Sequence, residues 1–524
     1  MLKNDGKKLS TSLKFLAKSS LVVLIGLLLS KLFNYIYRIV IARYFGAEEY
    51  GLFSLAVILF ILFIAASSLG LSDGVLRFIS FYRGKKQLGK INFIIKFSLA
   101  TTLVSGILAG IILYLTSGMI AEKIVHNQGI LIYLKVFSFL IPVSVLSNVL
   151  LYILRAHEKV KLYSFSMNIF QNFTKVFFLV LFVFIGLKFN PIIASFFLSA
   201  VLLLLLAFFL CKYKLPGVFI KRFISKKQKG QISRELFSYS WPFIFVGVIS
   251  NIFYWTDSLV LGYFKSAFDV GIYNVAIPLA SLLGIAPELF MQLFFPMISF
   301  EYSRKNFPLI REISKQIGKW IFIINLPLFY LTAFFPEVLI NVLFGSEYLP
   351  AVNVLRMLSL GALIGTSFTI SNSLLSMAGK SKLILLNFSI IAVFNLVLNI
   401  LLAPKYGMNG TAFSTLLSFF LLTLIVTMQA RKYTGILPFR RKMFRILIVS
   451  LILLVPALII KSFFDLSLIA ILVSFIVFLI AYAAMIYFSG CLDSNDLEVL
   501  GAVKRKLRDY KPLHKSLNIS NNSS

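Results

Sequence analysis

Long apolar segments dominate this chain and restrict it to one kind of fold. Fourteen stretches of mostly apolar residues follow one another along the 524 residues. At about 20 residues each, they are long enough to cross the roughly 30 Å hydrocarbon layer of a bilayer as helices. Backbone groups in lipid must be satisfied within the segment, which favours helices over isolated strands. The sequence therefore predicts an all-α integral membrane protein with about 14 transmembrane helices. The predicted spans are 20–42, 52–71, 93–117, 130–154, 165–187, 192–211, 239–262, 271–296, 318–340, 353–377, 383–403, 411–430, 443–461 and 467–489.

The composition agrees with a membrane location and explains the charge of the chain. Hydrophobic residues make up 59% of the sequence and charged residues 14%, while the formal net charge is +33. Lys and Arg concentrate in the loops on one side of the predicted spans, which is the pattern of cytoplasmic loops. We therefore predict a multi-pass protein of the cell (plasma) membrane with both termini in the cytoplasm. The basic loops are interpreted as surfaces that face anionic lipid headgroups rather than nucleic acid.

The same membrane passage occurs twice in the sequence. Arg38, Tyr44 and Gly51 have counterparts further along at an almost constant offset, and a second run near the end of each repeat keeps the same register. Two repeats with an even number of spans enter the membrane in the same orientation, so a pseudo-twofold axis along the membrane normal is expected. The equivalent positions are Arg38 and Asp257, Tyr44 and Tyr263, Gly51 and Gly271, and the runs 190–199 and 409–418.

This repeat defines the predicted organisation of the chain. Two pseudo-symmetric six-helix lobes should enclose a cleft at the midplane, and two further helices follow them. The predicted divisions are an N-terminal lobe at 1–211, a basic cytoplasmic linker at 212–238, a C-terminal lobe at 239–430, an additional helix pair at 443–489 and a basic cytoplasmic tail at 490–524.

Polar residues inside the predicted spans are the candidate functional residues. A charged side chain in the bilayer costs about 2.5 to 3.5 kcal/mol on insertion scales, so each one needs an explanation. Those of the first helix fall at i, i+3, i+4 and i+7 and therefore share one face. The predicted substrate-binding cavity residues are Lys31, Asn34, Tyr35, Arg38, Asn168, Asn172, Lys175, Asn251 and Tyr254, with Asp257 and Glu288 as the coupling-ion site or inter-lobe pair.

Two interpretations of these charges remain open from the sequence. In the first, Lys31, Arg38 and Lys175 form a cationic cavity that accepts an anionic headgroup, for which the forked guanidinium of an arginine is well suited. In the second, Arg38 and Asp257 pair across the pseudo-axis and hold the lobes together. The two interpretations are not exclusive, because a pair that breaks on substrate entry would act as a switch. As a further hypothesis, Asp257 or Glu288 carries the coupling cation or proton.

Motifs for catalysis are missing from the sequence. It contains no GxxxxGK[ST] phosphate loop, and its three histidines and two cysteines show no metal-ligand spacing. We therefore predict a protein that is not an enzyme, uses no cofactor or metal and depends on an ion gradient or the membrane potential.

Three runs resemble a known family, the polysaccharide-export flippases. This family belongs to the superfamily that also contains the multidrug and toxin extrusion (MATE) transporters and the peptidoglycan lipid precursor flippase. The resemblance extends over about residues 15 to 430. The runs are RYFGAEEYGL at 43–52, GLSDGVLR at 70–77 and KYGMNGTA at 405–412.

The resemblance implies a fold and a substrate. It implies two MATE-like lobes around a central cavity, alternating access, and a polyprenyl-diphosphate-linked oligosaccharide that moves from the inner to the outer leaflet. Lys31 and Arg38 would correspond to the cavity arginines that lipid precursor flippases carry on helix 1. The two additional helices would border a groove for the lipid tail.

Three other functions compete with that of a flippase. A multidrug exporter of the same architecture favours organic cations, which a cavity of Lys31, Arg38 and Lys175 opposes. A membrane glycan polymerase or ligase needs an outward-facing catalytic loop, and the predicted outside loops are too short for one. A transport-inactive scaffold would instead bind glycan assembly enzymes through its basic inner face.

Overall fold

The computed structural model describes the backbone of residues 2–187, 189–215, 224–463 and 468–491, and most of their side chains from residue 26 onward. Within these ranges every regular element is helical. The α-helices are α1 (Leu2–Ser67), α2 (Leu71–Gly84), α3 (Leu88–Lys123), α4 (Ile130–Ala156), α5 (Val160–Ser164), α6 (Gln171–Ile185), α7 (Pro191–Lys214), α8 (Lys226–Phe264), α9 (Ala267–Ser281), α10 (Ile285–Ser303), α11 (Phe307–Phe334), α12 (Pro336–Leu343), α13 (Val352–Met377), α14 (Ser381–Thr434), α15 (Arg441–Phe463) and α16 (Leu468–Phe488).

Ten helical stretches in the described part of the chain are long and apolar enough to cross a membrane. Some of them join consecutive elements: α5 and α6 are continuous through a π-helical turn at Phe165–Phe170, and α9 runs into α10 through a 3-10 turn at Leu282–Gly284. The chain is therefore a multi-pass membrane protein built from helices.

The first of these stretches folds back on itself at Gly46. The backbone of Gly46 has φ 83° and ψ 175°, which breaks the helix and which only glycine adopts without strain. The rings of Tyr37 and Phe53 lie 5.8 Å apart. In a straight helix, their separation along the chain would place them about 24 Å apart. Residues 26–45 and 47–67 are therefore two antiparallel segments of α1.

Helix α14 folds back in the same way at Gly407, where φ is 55°. The side-chain amides of Asn387 and Gln429 exchange two hydrogen bonds of 2.6 and 3.0 Å, although they are far apart along the helix. A Cβ on Gly410 would lie 2.6 Å from the carbonyl oxygen of Leu402. The segments on either side of Gly407 therefore lie against each other, as two consecutive spans do.

The two halves of the chain, residues 26–214 and 226–434, meet through equivalent glycines. A Cβ on Gly51 would lie 1.8 Å from the carbonyl oxygen of Ala267, and a Cβ on Gly271 would lie 1.9 Å from that of Ala47. Each contact is the counterpart of the other in the internal repeat. No side chain larger than hydrogen fits at either glycine, so α1 and α9 approach with their backbones in contact.

Further contacts join the halves at the Gly46 end of the bundle. The guanidinium of Arg43 donates to the carbonyl oxygen of Leu343 at 2.9 Å, and the hydroxyl of Tyr348 donates to that of Ala42 at 2.8 Å. One large apolar cluster contains residues of both halves, among them Tyr50 and Tyr273. The Gly46 end of the structure is therefore closed.

The additional helices pack on α11. The hydroxyl of Tyr330 lies 2.8 Å from that of Ser450 in α15, and the hydroxyl of Tyr482 in α16 donates to the carbonyl oxygen of Ile323 at 3.1 Å. Helix α8 begins at Lys226, within the segment 212–238 that is predicted as the linker, behind a capping box formed by Ser225 and Gln228. Residues 216–223 of that linker and 492–524 of the predicted tail lie outside the described residues.

Candidate functional site

The polar face of α1 lies at the boundary between the halves. The guanidinium of Arg38 donates from Nε to Asn34 Oδ1 and from Nη1 to the hydroxyl of Tyr50, each over 3.1 Å. Asn34 is exposed, and Arg38 is half-buried. Both acceptors are neutral, so these bonds fix the orientation of the guanidinium without cancelling its charge.

Two contacts join this face to α9 and α10. The ammonium of Lys31 lies 3.2 Å from a carboxylate oxygen of Glu288, and the hydroxyl of Tyr35 lies 2.9 Å from that of Ser281. The side chains of Lys31 and Glu288 are 29% and 43% exposed. Lys31 is therefore neutralised by a residue of the other half and is not a free cation.

The expected pair of Arg38 and Asp257 is not formed. Asp257 is only 8% exposed, and its carboxylate accepts hydrogen bonds from Tyr273, from Asn399 at 2.9 Å and from Thr415 at 2.9 and 2.7 Å. All of these donors belong to the second half. A buried carboxylate is stable only when such donors satisfy it, and here its own half supplies them. Arg38 and Asp257 therefore do not pair in the structure, and Lys31 with Glu288 is an ion pair that joins the halves.

Helix α6 and the π-helical turn before it share a polar face, which lies against α1. The amide of Asn168 donates to Ser164 at 3.1 Å, and that of Asn172 donates to the hydroxyl of Ser30 at 3.0 Å. The ammonium of Lys175 lies 5.0 Å from the centre of the Phe196 ring. An aromatic face attracts a cation but does not neutralise it.

Arg38 and Lys175 are two basic side chains on helices that pack against each other, α1 and α6. Within the described part of the chain neither has a carboxylate partner. Two basic side chains that lie inside apolar helical stretches without a carboxylate partner form a site that an anion would stabilise.

The two residues on α8 that were predicted to line the cavity, Asn251 and Tyr254, make no hydrogen bond to the described residues of the first half: one bonds within its own helix and the other is exposed. The amide of Asn251 donates to the carbonyl oxygen of Gly247 at 2.8 Å, one turn earlier in the same helix. Tyr254 is 75% exposed, and both Ser250 and Ile252 beside it are exposed. Among the described residues no hydrogen bond joins Asn251 or Tyr254 to Arg38 or Lys175, so a joint role would require a ligand between them.

Extending the repeat reveals polar residues that the sequence analysis missed. At the offset that relates the two repeats, Lys175 is equivalent to Asn395, and Ser195 is equivalent to Thr415. Asn395 accepts from Asn399, which donates to Asp257, and Thr415 donates to Asp257 directly. The site around Asp257 therefore occupies the same place in the second half as the Arg38 and Lys175 site in the first, with the opposite charge.

The second site also contains unsatisfied acceptors. The side-chain carbonyl oxygens of Asn274 and Asn399 are buried and have no hydrogen-bond partner. Carboxylate and amide oxygens are the ligands that small cations prefer, and the amide of Asn399 lies beside the Asp257 carboxylate. No group of three or more His, Cys, Asp or Glu residues that could hold a metal ion occurs among the described residues.

An apolar groove of about 390 Å³ lies between α1 and α6. Aromatic and branched side chains line the groove. Lys175 belongs to the same stretch of α6 but lies on another face of the helix. Such a groove suits a hydrocarbon chain. The lining residues are Phe33, Ile36, Phe173, Val176, Phe177, Val180, Leu181 and Phe184.

Comparisons with known proteins agree with this architecture. The family model described as "Polysaccharide biosynthesis protein" matches residues 16–300, and the model "MatE" matches residues 242–404. The chain is 25% identical to an uncharacterized membrane protein of Methanocaldococcus jannaschii over 82% of this chain and 87% of that protein. It is 21% identical to the lipid II flippase MurJ of Bacillus subtilis over 80% and 83% of the two chains.

A solved structure has the same fold. The inward closed conformation of the lipid II flippase MurJ superposes with a TM-score of 0.69 at 19% identity, covering 90% of this chain and 99% of that one. The fold is therefore that of the MATE and MurJ transporters. Since the first family model spans more than half of the 524 residues, the chain belongs to the polysaccharide biosynthesis protein family.

Proposed function

We propose that this protein is a flippase that moves a polyprenyl-diphosphate-linked oligosaccharide from the inner to the outer leaflet of the cell membrane. The observation that carries the proposal is the pair of uncompensated cations, Arg38 and Lys175, at membrane depth between helices of the first half. A diphosphate supplies the missing negative charge. The family description and the similarity to a lipid II flippase support a lipid-linked glycan as its carrier.

The energetics favour an anionic headgroup at this site. Each uncompensated cation in the bilayer costs about 2.5 to 3.5 kcal/mol on insertion scales, and a bound anion would offset that cost. Arg38 already has two neutral acceptors that orient its guanidinium, which leaves further N–H groups for phosphate oxygens. Lys31 would contribute only when its pair with Glu288 opens.

The proposed layout has fourteen spans in two six-helix lobes. The folding back of α1 and α14 divides two of the ten apolar stretches into pairs of spans, and α15 and α16 add the last two. With the termini in the cytoplasm, Gly46 lies at the outer surface. The contacts of Gly51 and Gly271 then close the outer side, and alternating access requires α1 and α9 to separate there.

Coupling to an ion or proton is proposed to occur at Asp257. Its carboxylate is buried and is held by Tyr273, Asn399 and Thr415, and it can take up a proton or a small cation in exchange for these donors. Glu288 is the alternative, but it is more exposed and is already paired with Lys31. Gradient-driven transport needs such a site, and its loss should abolish dependence on the gradient.

A multidrug exporter is the second candidate, because the MatE model matches residues 242–404. An organic cation would need an exposed acidic group in the cavity. Asp257 is buried and Glu288 is neutralised, whereas Arg38 and Lys175 repel a cation. A scaffold that binds glycan assembly enzymes is a third candidate, and binding of such enzymes without transport would support it.

The test is flipping of a fluorescent polyprenyl-diphosphate oligosaccharide, extracted from the source cells, in proteoliposomes. We expect Arg38→Ala and Lys175→Met each to lower the rate tenfold or more without loss of folded protein. Lys135→Met is the matched control, since the ammonium of Lys135 lies near the Tyr114 ring on α3 and away from the cavity. A large loss of folded protein in the cavity variants, or unchanged flipping, would contradict the proposal.

A further inference from the structure

One buried hydroxyl connects the cationic site of the first half with α9 of the second. Arg38 Nη1 donates to the hydroxyl of Tyr50 over 3.1 Å, and that hydroxyl donates to the carbonyl oxygen of Asn274 over 3.2 Å. The side chain of Tyr50 is fully buried. The two bonds run in series with the same polarity, so each one strengthens the other.

Helix α9 is bound at the same point to the site of Asp257. The hydroxyl of Tyr273 donates to the Asp257 carboxylate, and the amide of Asn274 donates to the hydroxyl of Ser258 at 3.1 Å. Tyr273 and Asn274 are consecutive residues. A displacement of α9 that breaks the Tyr50 bond therefore also changes the donors that hold Asp257.

We propose that Tyr50 couples the two sites, so that an anion bound at Arg38 changes the state of Asp257 through α9. This inference rests on the proposed function, since it takes Arg38 as the diphosphate site and Asp257 as the coupling site. A diphosphate bound to the remaining N–H groups of Arg38 offsets part of the positive charge that polarises the hydroxyl of Tyr50. The hydroxyl of Tyr50 is then polarised less and holds the carbonyl oxygen of Asn274 less strongly.

Thermodynamic linkage makes the effect reciprocal. If binding at Arg38 alters the Asp257 site, then a change at Asp257 must alter affinity at Arg38 by the same factor. Typical coupling between two sites of a protein corresponds to about 5- to 150-fold in affinity. The field of Asp257 also acts on a bound anion directly through space. That direct effect does not depend on the hydroxyl of Tyr50, which allows the two routes to be separated.

The test is a double-mutant cycle on binding of geranylgeranyl diphosphate to the full-length protein in detergent. We expect Asp257→Asn to change Kd about fivefold or more in the wild-type background and less than about twofold in the Tyr50→Phe background. Tyr37→Phe is the matched control. It loses a buried hydroxyl on the same helix, but one that contacts Ser195 and Ile192 within the first half. In that background the effect of Asp257→Asn should be unchanged.

Several outcomes would overturn the inference. An equal effect of Asp257→Asn with and without the Tyr50 hydroxyl would assign the coupling to the through-space field, and no effect in the wild type would exclude coupling. If Asp257→Asn does not fold, Thr415→Val takes its place, because it removes a donor to both carboxylate oxygens. Failure of the wild type to bind the diphosphate would overturn the proposed function as well, whereas binding without coupling would overturn only this inference.

Discussion

The ion pair of Lys31 and Glu288 gives the most direct prediction about how the halves are held together. It joins α1 to α10 across the boundary of the two halves at 3.2 Å. Exchanging the two charges, as Lys31→Glu with Glu288→Lys, preserves an attraction that either single change removes. Each single charge inversion instead places two like charges at this distance.

The magnitude follows from the distance and the exposure. Two unit charges 3.2 Å apart attract by about 1.3 kcal/mol in bulk water and by about 5 kcal/mol at an effective dielectric constant of 20. The side chains are 29% and 43% exposed, so water screens the pair toward the lower value. Measured pairs of this kind contribute about 0.2 to 1 kcal/mol. We therefore expect a coupling energy of about 1 kcal/mol in the free energy of unfolding.

The assay is chemical unfolding in detergent. Unfolding is monitored by the labelling of Cys211 and Cys491, which are both fully buried in the folded protein. Lys31→Met and Glu288→Gln should each destabilise the protein, and their double mutant should lose about 1 kcal/mol less than the sum of the two. The charge-exchanged protein should recover most of the stability. Strict additivity, or no recovery on exchange, would refute the assignment of Lys31 and Glu288 as a stabilising ion pair between the halves.

Three further predictions concern packing, pH and the additional helices. Gly51→Ala should lower the free energy of unfolding by about 1 to 3 kcal/mol, because its Cβ would lie 1.8 Å from the Ala267 carbonyl oxygen. Gly118→Ala is the control in the same unfolding assay, because a Cβ on Gly118 meets nothing within 4 Å. Equal losses of stability in the two variants would disprove the close contact. Burial lowers the pKa of His157. Its contribution to stability should therefore be fully present above about pH 6.5 and decline as the pH falls toward the folded-state pKa. His157→Gln should remove that part of a pH-dependent unfolding curve, and an unchanged curve would contradict the prediction. Deleting the chain after Leu437 should leave folded protein that transports lipid-linked substrate poorly, which normal transport in proteoliposomes would exclude.

Repeat symmetry predicted which residues are equivalent but not which ones touch. Gly51 and Gly271 were recognised as counterparts from their spacing, and in the structure each contacts the helix of the other. Arg38 and Asp257 are counterparts as well, yet each is bound by residues of its own half. The repeat shows which positions correspond, but it does not show which of them lie in contact.

Helical periodicity was informative for the polar face of α1. The spacing of Lys31, Asn34, Tyr35 and Arg38 predicted one common face, and three of these side chains bond to residues beyond their own segment of α1. The partner of Lys31 could not be predicted from helical periodicity. Glu288 lies in the other half of the chain, and only the packing of α1 against α10 brings the two charges together.

The ends of the helices differ from the ends of the spans that the sequence predicted. The sequence separated spans at 20–42 and 52–71, whereas the structure continues helical geometry to a single bend at Gly46. Short connections of this kind need only one residue with a positive φ, which glycine supplies without strain. Likewise, α8 begins at Lys226, because polar residues can extend a helix beyond the membrane when a capping box satisfies its first N–H groups.

The flippase assignment is tested by comparing the transport of an anionic lipid-linked substrate with that of an organic cation in the same proteoliposomes. One channel follows quenching of a fluorescent polyprenyl-diphosphate oligosaccharide, and the other follows uptake of ethidium. The uncompensated charges of Arg38 and Lys175 predict protein-dependent flipping of the diphosphate, loss of that flipping in Arg38→Ala, and no ethidium transport. Ethidium transport without movement of the diphosphate would contradict the flippase assignment and establish a cation exporter.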